Sequence, residues 1–233
     1  MTGRYDDRLG VLDRLALACG AGWVVASLVG NGLTEDGAPT EDSPAAAQAY
    51  FALLRTGSHR FGLALELLGL CLLVVFVAKA YRVLRDAEGP GGWLAGLALA
   101  GGLVTVAVKL GSGAPYLVGV LVKDLPPEHA LLMQRVNEAG FLLTAMTSGL
   151  LVLGLAGSAF RSRLLPRWVA GLGLALGALA VLGSLAPSSL DGGPGVAGFL
   201  LGLLWLLAVS VVLATRRARR ADLGSHEAVL TPA

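Results

Sequence analysis

One stretch of the sequence restricts the fold more than any other: residues 59–85, HRFGLALELLGLCLLVVFVAKAYRVLR. It is long enough to cross a bilayer, since a spanning helix needs roughly 20 apolar residues at about 1.5 Å of rise each. The stretch contains a single carboxylate, Glu66, and ends in a cluster of cations. An ionised glutamate in hydrocarbon costs on the order of 3 kcal/mol, so it is tolerated only where it faces a partner or a cavity. Glu66 is therefore the first candidate for a functional position.

The composition extends this interpretation to the whole chain. Of 233 residues, 55% are hydrophobic and only 15% are charged, and the mean hydropathy is +0.71. Soluble domains have about 25% charged residues. The basic residues follow the ends of apolar runs instead of forming one patch, which argues against a nucleic-acid partner. We expect a polytopic membrane protein in contact with membrane lipid.

Six apolar runs predict an all-α bundle of six transmembrane helices within residues 15–215. A short N-terminal segment, 1–14, precedes this domain and a polar tail, 216–233, follows it. The predicted spans are residues 15–33, 61–80, 93–110, 139–160, 168–185 and 196–213.

Two of the connections between the spans carry structure of their own. Ala45–Leu54 is predicted to form a short surface helix. Pro126 and Pro127 predict a firm break before the fourth span. A proline has no N–H to bond to the preceding turn, and it disfavours helical geometry in the residue before it. The apolar piece Tyr116–Val122 in the same connection is too short to cross a bilayer.

The basic residues predict the orientation. Of the 18 lysines and arginines, thirteen fall in the segments on the side of the two termini, and the other five fall on the opposite side. Cytoplasmic segments carry the excess of Lys and Arg. Both termini are therefore predicted to be cytoplasmic, in a multi-pass protein of the inner (plasma) membrane.

This orientation brings the polar residues of the spans to one depth. Glu66 comes five residues after the predicted outer end of the second span, or roughly 7–8 Å inside it at helical rise. Lys109 is at the outer end of the third span, and Arg135, Asn137 and Glu138 precede the fourth. We predict a polar chamber in the outer half of the bundle. Glu66 and Glu138 are its candidate catalytic residues, and Lys109, Arg135 and Asn137 are its candidate ligand-binding residues.

Three functions and one structural role fit such a chamber. The first hypothesis is a protein without known catalysis that binds an apolar or amphipathic small molecule around Glu66. The second is an intramembrane enzyme that acts on an isoprenoid or lipid with Glu66 as general acid. The third is a small proton-coupled transporter, although no clear internal repeat supports it. In the structural alternative, Glu66 pairs with Lys109 or Arg135 and holds the second, third and fourth spans in register. The remaining alternative is a Glu66 without a partner that snorkels to the interface.

Other features point to packing more than to chemistry. The G-x-x-x-G motifs Gly173–Gly177 and Gly198–Gly202 predict close packing inside the fold, with the seam of a homo-oligomer as the alternative. Trp23 and Trp205 lie mid-span and are expected in the apolar core, with a pocket wall as the alternative. The three histidines show no ligand spacing and no cofactor motif is present, so neither a metal nor a cofactor is expected.

Four stretches carry a resemblance to a known family: AAAQAY at 45–50, GLALE at 62–66, YRVLR at 81–85 and, above all, FRSRLLPRWV at 160–169. They resemble the bacterial membrane proteins grouped as domain of unknown function 4386, especially the actinobacterial members. The resemblance covers roughly residues 9–215 and implies a six-helix bundle without supplying an activity. Members often carry a His-Asp pair at the start of the fourth span, where this chain has Asn137 and Glu138.

A second, looser similarity is to integral-membrane terpene cyclases. These small helical bundles use intramembrane carboxylates to protonate an alkene or epoxide. The similarity implies that Glu66 is the acid and that Glu138 or Asp191 is a second one. Such enzymes usually have one more span, which this chain would have only if residues 116–122 insert.

Overall fold

The computed structural model describes residues 10–39, 43–185 and 193–215. Six of the helices in this part of the chain are long and apolar enough to cross a membrane. An all-α membrane bundle of six spanning helices is thereby confirmed for the described residues. The helices are α1 (Val11–Thr34), α2 (Pro44–Leu53), α3 (Gly57–Glu88), α4 (Leu94–Leu121), α5 (Pro127–Ser162), α6 (Arg167–Ser184) and α7 (Pro194–Thr215).

The spanning helices are mostly longer than the apolar runs that predicted them. α3 and α5 have 32 and 36 residues, because polar turns continue each helix beyond its apolar part. The last residues of the predicted N-terminal segment belong to α1. Residues 1–9 of that segment, the predicted tail 216–233 and the candidate acid Asp191 lie outside the described residues.

The largest difference from the predicted bounds lies at the end of α4. The sequence predicted a span ending at Leu110 and a separate apolar piece at 116–122, whereas one helix continues to Leu121. This helix runs through Pro115, whose missing N–H removes one backbone hydrogen bond. Membrane helices tolerate such a proline when neighbouring groups satisfy the freed carbonyl. The predicted break holds, since α5 begins at Pro127 with Pro126 as its N-cap.

The predicted surface helix, α2, packs across the ends of α4 and α5 and forms a roof over this end of the bundle. Its apolar face buries Ala47, Tyr50, Phe51 and Leu54, which follow helical spacing, against side chains of α4 and α5. Arg55, just beyond α2, donates hydrogen bonds to backbone carbonyls at and beyond the end of α4, and a cation is stabilised there by the helix dipole. The carbonyls are those of Gly119, Val120, Val122 and Lys123.

Small residues bring α4, α5, α6 and α7 into close contact. A β-carbon on Gly101 of α4 would lie 2.5 Å from the backbone nitrogen of Leu151 in α5. A β-carbon on Gly198 of α7 would lie 2.5 Å from the backbone nitrogen of Ala180 in α6. These helices therefore pack backbone to backbone, as small residues allow in membranes.

Both G-x-x-x-G motifs and both mid-span tryptophans contribute to this packing. Gly173 lies under the ring of Trp205, and Gly177 lies against the carbonyl oxygen of Gly149 in α5. The Trp205 indole nitrogen donates to the Val169 carbonyl at 2.8 Å. Trp205 and Trp23 both belong to the main apolar core, as expected for packing residues.

Candidate functional site

A cavity of about 210 Å³ lies between α1, α3, α4 and α5, at the end of the bundle roofed by α2. Four of the five predicted site residues line it: Glu66, Lys109, Asn137 and Glu138. The rest of the lining is largely apolar, and leucines of α3 and α4 form its apolar wall. These are Leu63, Leu67, Leu70, Leu110 and Leu117.

Glu66 joins three helices at the polar wall. Its Oε2 lies 3.4 Å from Nζ of Lys109, so the pairing that the sequence offered as a structural alternative is formed between α3 and α4. Its Oε1 accepts a hydrogen bond of 3.1 Å from the Thr34 hydroxyl of α1. The Glu66 and Lys109 side chains are only 16% and 18% exposed. An isolated charge would be costly at such a site, and each charge has the other as its partner.

A glycine contact between α1 and α3 determines where Glu66 lies. A β-carbon on Gly30 would come within 2.8 Å of Cγ of Glu66 and 3.0 Å of the Gly62 carbonyl oxygen. A β-carbon on Gly62 would in turn lie 2.9 Å from the Gly30 carbonyl oxygen. The two backbones can approach this closely only because both residues lack a side chain. Thr34, one turn after Gly30, is thereby brought within reach of the carboxylate.

Two buried tyrosines extend the hydrogen bonds away from Glu66. The Tyr50 hydroxyl of α2 donates to the Thr34 carbonyl at 2.5 Å, and the Tyr116 hydroxyl of α4 donates to the Tyr50 oxygen at 3.0 Å. Burial raises the pKa of the Tyr50 phenol above its usual value, and the charges of Glu35 and Glu66 raise it further. Tyr50 is therefore a neutral hydroxyl at physiological pH. Its hydrogen bond to Thr34 links α2 to the residue that contacts Glu66.

Arg135 and Glu138 lie at the rim of the cavity. Nη1 of Arg135 is 2.7 Å from Oε2 of Glu138, and the two side chains are 47% and 43% exposed. The amide of Gln134 donates to the other oxygen of Glu138 at 3.0 Å. Arg135 thus contacts the second candidate carboxylate, while Lys109 contacts the first. The predicted roles of Arg135, Asn137 and Glu138 remain predictions.

The sequence did not single out Thr34, Tyr50, Tyr116 or Gln134, although all four line the cavity. One signal could have indicated Tyr50: the apolar face of α2 recurs at i, i+3, i+4 and i+7, which is typical of a helix that packs on the bundle. Nothing in the sequence pairs Thr34 with Glu66, since 32 positions separate them.

The cavity combines two environments suited to an amphipathic molecule. Leu67 and Leu110 line it and are also 41% and 48% exposed, so the apolar wall continues onto the lipid-facing surface of the bundle. The polar wall offers a carboxylate, an ammonium group and hydroxyls. Among the described residues, no group of three or more His, Cys, Asp or Glu side chains could hold a metal ion.

Comparison with known families gives one match. The family model described as Domain of unknown function (DUF4386) matches residues 18–213. The chain belongs to the DUF4386 family. The DUF4386 match includes every residue that lines the cavity. No curated protein and no solved structure matches the chain.

Proposed function

We propose that this DUF4386 protein binds an apolar or amphipathic small molecule in the cavity around Glu66. One observation carries the proposal: a space of about 210 Å³ is lined both by leucines and by Glu66, Lys109 and Asn137. Small-molecule sites are concave and mostly apolar, with a few polar groups that orient the ligand. A molecule with a polar head and an apolar tail satisfies both walls at once.

The proposed setting is the plasma membrane, with both termini in the cytoplasm. The distribution of lysine and arginine supports it, since thirteen of the 18 lie on the side of the termini. The cavity is then in the outer half of the bilayer. A ligand can reach it from the outer leaflet, beside the exposed leucines Leu67 and Leu110.

A purely structural role for Glu66 accounts for less of the geometry. An ion pair that only held α3 and α4 in register would need Lys109 beside Glu66, and it is there. Such a pair needs a few water molecules around it, but it does not need a space of about 210 Å³ with five leucines in its lining. The cavity beside the pair supports ligand binding over a strut.

An intramembrane enzyme that acts on an isoprenoid or lipid is less well supported. A general acid must hold a proton on one oxygen and direct it at the substrate. Both oxygens of Glu66 instead face donors, namely Thr34 and Lys109, which suits a carboxylate that only accepts. Turnover is therefore an outcome of the test rather than our expectation.

The test compares wild type with Glu66→Gln, each purified in lipid nanodiscs, by thermal unfolding and by mass spectrometry of co-purifying small molecules. We expect the wild type to carry a bound amphiphile that the variant has lost. The unfolding temperature should change little, because the glutamine still reaches Thr34 and water in the cavity can solvate Lys109. Asp86→Asn is the matched control, since Asp86 is an exposed carboxylate on the same helix and does not line the cavity.

Two results would contradict the proposal. One is a much lower unfolding temperature for Glu66→Gln with no molecule bound to either protein, which would make the carboxylate a strut. The other is conversion of an added isoprenoid by the wild type and not by Glu66→Gln, which would make the protein an enzyme with Glu66 as its acid.

A further inference from the structure

Negatively charged side chains outnumber positively charged ones on the cavity wall among the described residues. Three carboxylates, Glu35, Glu66 and Glu138, line the cavity together with one cation, Lys109, among the described residues. Arg135 offsets Glu138 from the rim at 2.7 Å. Negative charge still exceeds positive charge around the space, so the cavity attracts cations and repels anions.

Lys109 does not make a short hydrogen bond to Glu66, so a second cation can compete with it for the carboxylate. Their 3.4 Å separation is longer than the roughly 2.7–2.9 Å of a direct charge-assisted hydrogen bond. Lysine is a point charge on a flexible four-carbon stem, so its ammonium group can move while its backbone stays fixed. A ligand ammonium can therefore contact Oε2 of Glu66 directly while Lys109 turns toward the open side of the cavity.

The tyrosines on the wall also favour a cation. Tyr50 and Tyr116 both line the cavity, and a neutral tyrosine attracts an ammonium group through either its ring or its hydroxyl oxygen. The charges of Glu35 and Glu66 both contribute to the raised pKa of Tyr50 after burial, so the negative potential reaches this part of the wall. An anionic head group at Lys109 would instead lie beside the Glu66 carboxylate.

We propose that the cavity selects amphiphiles with a positively charged head group, of which an alkylammonium is the simplest. The head group contacts Glu66 beside Tyr50 and Tyr116, and the alkyl chain lies along the leucine wall toward Leu67 and Leu110. This inference rests on the proposed ligand-binding function and names the class of ligand that the cavity takes.

The experiment measures three probes of equal chain length: octyltrimethylammonium, octanol and octanoate. Each is titrated into the full-length protein in nanodiscs of zwitterionic lipid, and empty nanodiscs give the partition into lipid that is subtracted. We expect saturable binding of octyltrimethylammonium about ten-fold or more tighter than that of octanoate, with octanol between them. Affinity for the cation should fall as salt rises, because the carboxylates at the rim are exposed.

Two variants test the role of the charges. Lys109→Gln removes the cation that competes for Glu66, so octyltrimethylammonium should bind about three- to ten-fold more tightly. If the Lys109–Glu66 pair is instead needed to hold the cavity in shape, Lys109→Gln should bind octyltrimethylammonium more weakly or not at all. Glu138→Gln, at the exposed rim, carries little risk to the fold and should weaken binding of the cation about two- to five-fold while leaving octanol unchanged.

The outcomes separate this inference from the proposed function. If octanol or octanoate binds saturably and as tightly as octyltrimethylammonium, the cavity binds ligands but does not select cations, and the inference is wrong. If none of the three probes binds above empty nanodiscs, the ligand-binding function fails and the inference fails with it. Should Lys109→Gln unfold, equal affinity of Glu138→Gln and wild type for the cation would still overturn the inference.

Discussion

The two junctions inside this bundle differ in how much space the helices leave between them. Between α5, α6 and α7 a space of about 10 Å³ remains, barely enough for one water molecule. Between α1, α3, α4 and α5 about 210 Å³ remains. Glycines such as Gly149, Gly177 and Gly198 let backbones touch at the first junction. At the second, a lysine, three glutamates and several leucines line the space.

This difference shows how a glycine-rich membrane protein can be tightly packed and still contain a pocket. Small residues on facing helices remove space, and at the first junction they leave almost none. An ion pair cannot be enclosed by apolar atoms without a large loss of solvation. The junction around Glu66 and Lys109 therefore stays open to polar groups, whether water or ligand.

The largest effect is expected where helix backbones touch, as they also do between α4 and α5. Gly101→Ala would drive a β-carbon into the backbone of Leu151, which no side-chain rotation can relieve. We expect a loss of about 2–3 kcal/mol in the free energy of unfolding. Gly111→Ala, on the same helix with no atom near its added carbon, should instead gain about 0.5–1 kcal/mol. Thermal unfolding in nanodiscs measures both variants, and equal unfolding temperatures would contradict the close contact between Gly101 and the Leu151 backbone.

Filling the cavity should affect binding without affecting stability. Gly113 lines the cavity, and a β-carbon there would meet no other atom. Gly113→Phe should therefore keep the unfolding temperature within a few degrees while weakening saturable ligand binding about ten-fold or more, because bulk in a pocket excludes the ligand.

The same substitution at the closed junction is the matched control. Gly149→Phe would push a ring into the Gly177 carbonyl, 2.9 Å from the added β-carbon, and should fail to give a folded protein. If Gly113→Phe unfolded as readily as Gly149→Phe, the cavity would not be open in the folded protein.

The smallest effect concerns a single hydrogen bond at the open junction. Thr34→Val keeps the shape of the side chain and removes the 3.1 Å donor to Oε1 of Glu66. We expect a loss of about 1 kcal/mol in stability. A double-mutant cycle with Glu66→Ala, which removes the acceptor, should give a coupling of similar size, and a coupling near zero would mean that the two side chains do not interact in the membrane.

Sequence reasoning predicted the helices whose length is set by an apolar run. It was less accurate where a helix continues past a polar turn or a proline. The spans were predictable because roughly 20 apolar residues are needed to cross a bilayer. The end of α4 was not, because its last turns pass Pro115 and are stabilised by Arg55 from another part of the chain. Hydropathy detects the residues that contact lipid. It does not detect a helix end that is stabilised by a distant side chain, as Arg55 stabilises the end of α4.

The sequence predicts how deep in the membrane each residue of a span lies, and this part of the candidate site was predictable. Glu66 and Lys109 were assigned to the same level of the bundle, and their side chains are 3.4 Å apart. The partners from α1 and α2 could not be found in this way. Thr34 and Tyr50 reach the cavity through the crossing of α1 with α3 and the docking of α2. The periodicity of α2 marks Tyr50 as a packing residue, but it does not say which helices α2 packs on.

The contact between Gly30 and Gly62 has a consequence for the thermodynamics of recognition. Because the backbones of α1 and α3 touch there, the threonine donor faces Glu66 before any ligand arrives. Ordering mobile side chains is one of the main costs of association, at about 0.5–1.5 kcal/mol for each. A molecule that enters this cavity meets a carboxylate already held in place, so little conformational entropy is lost there on binding.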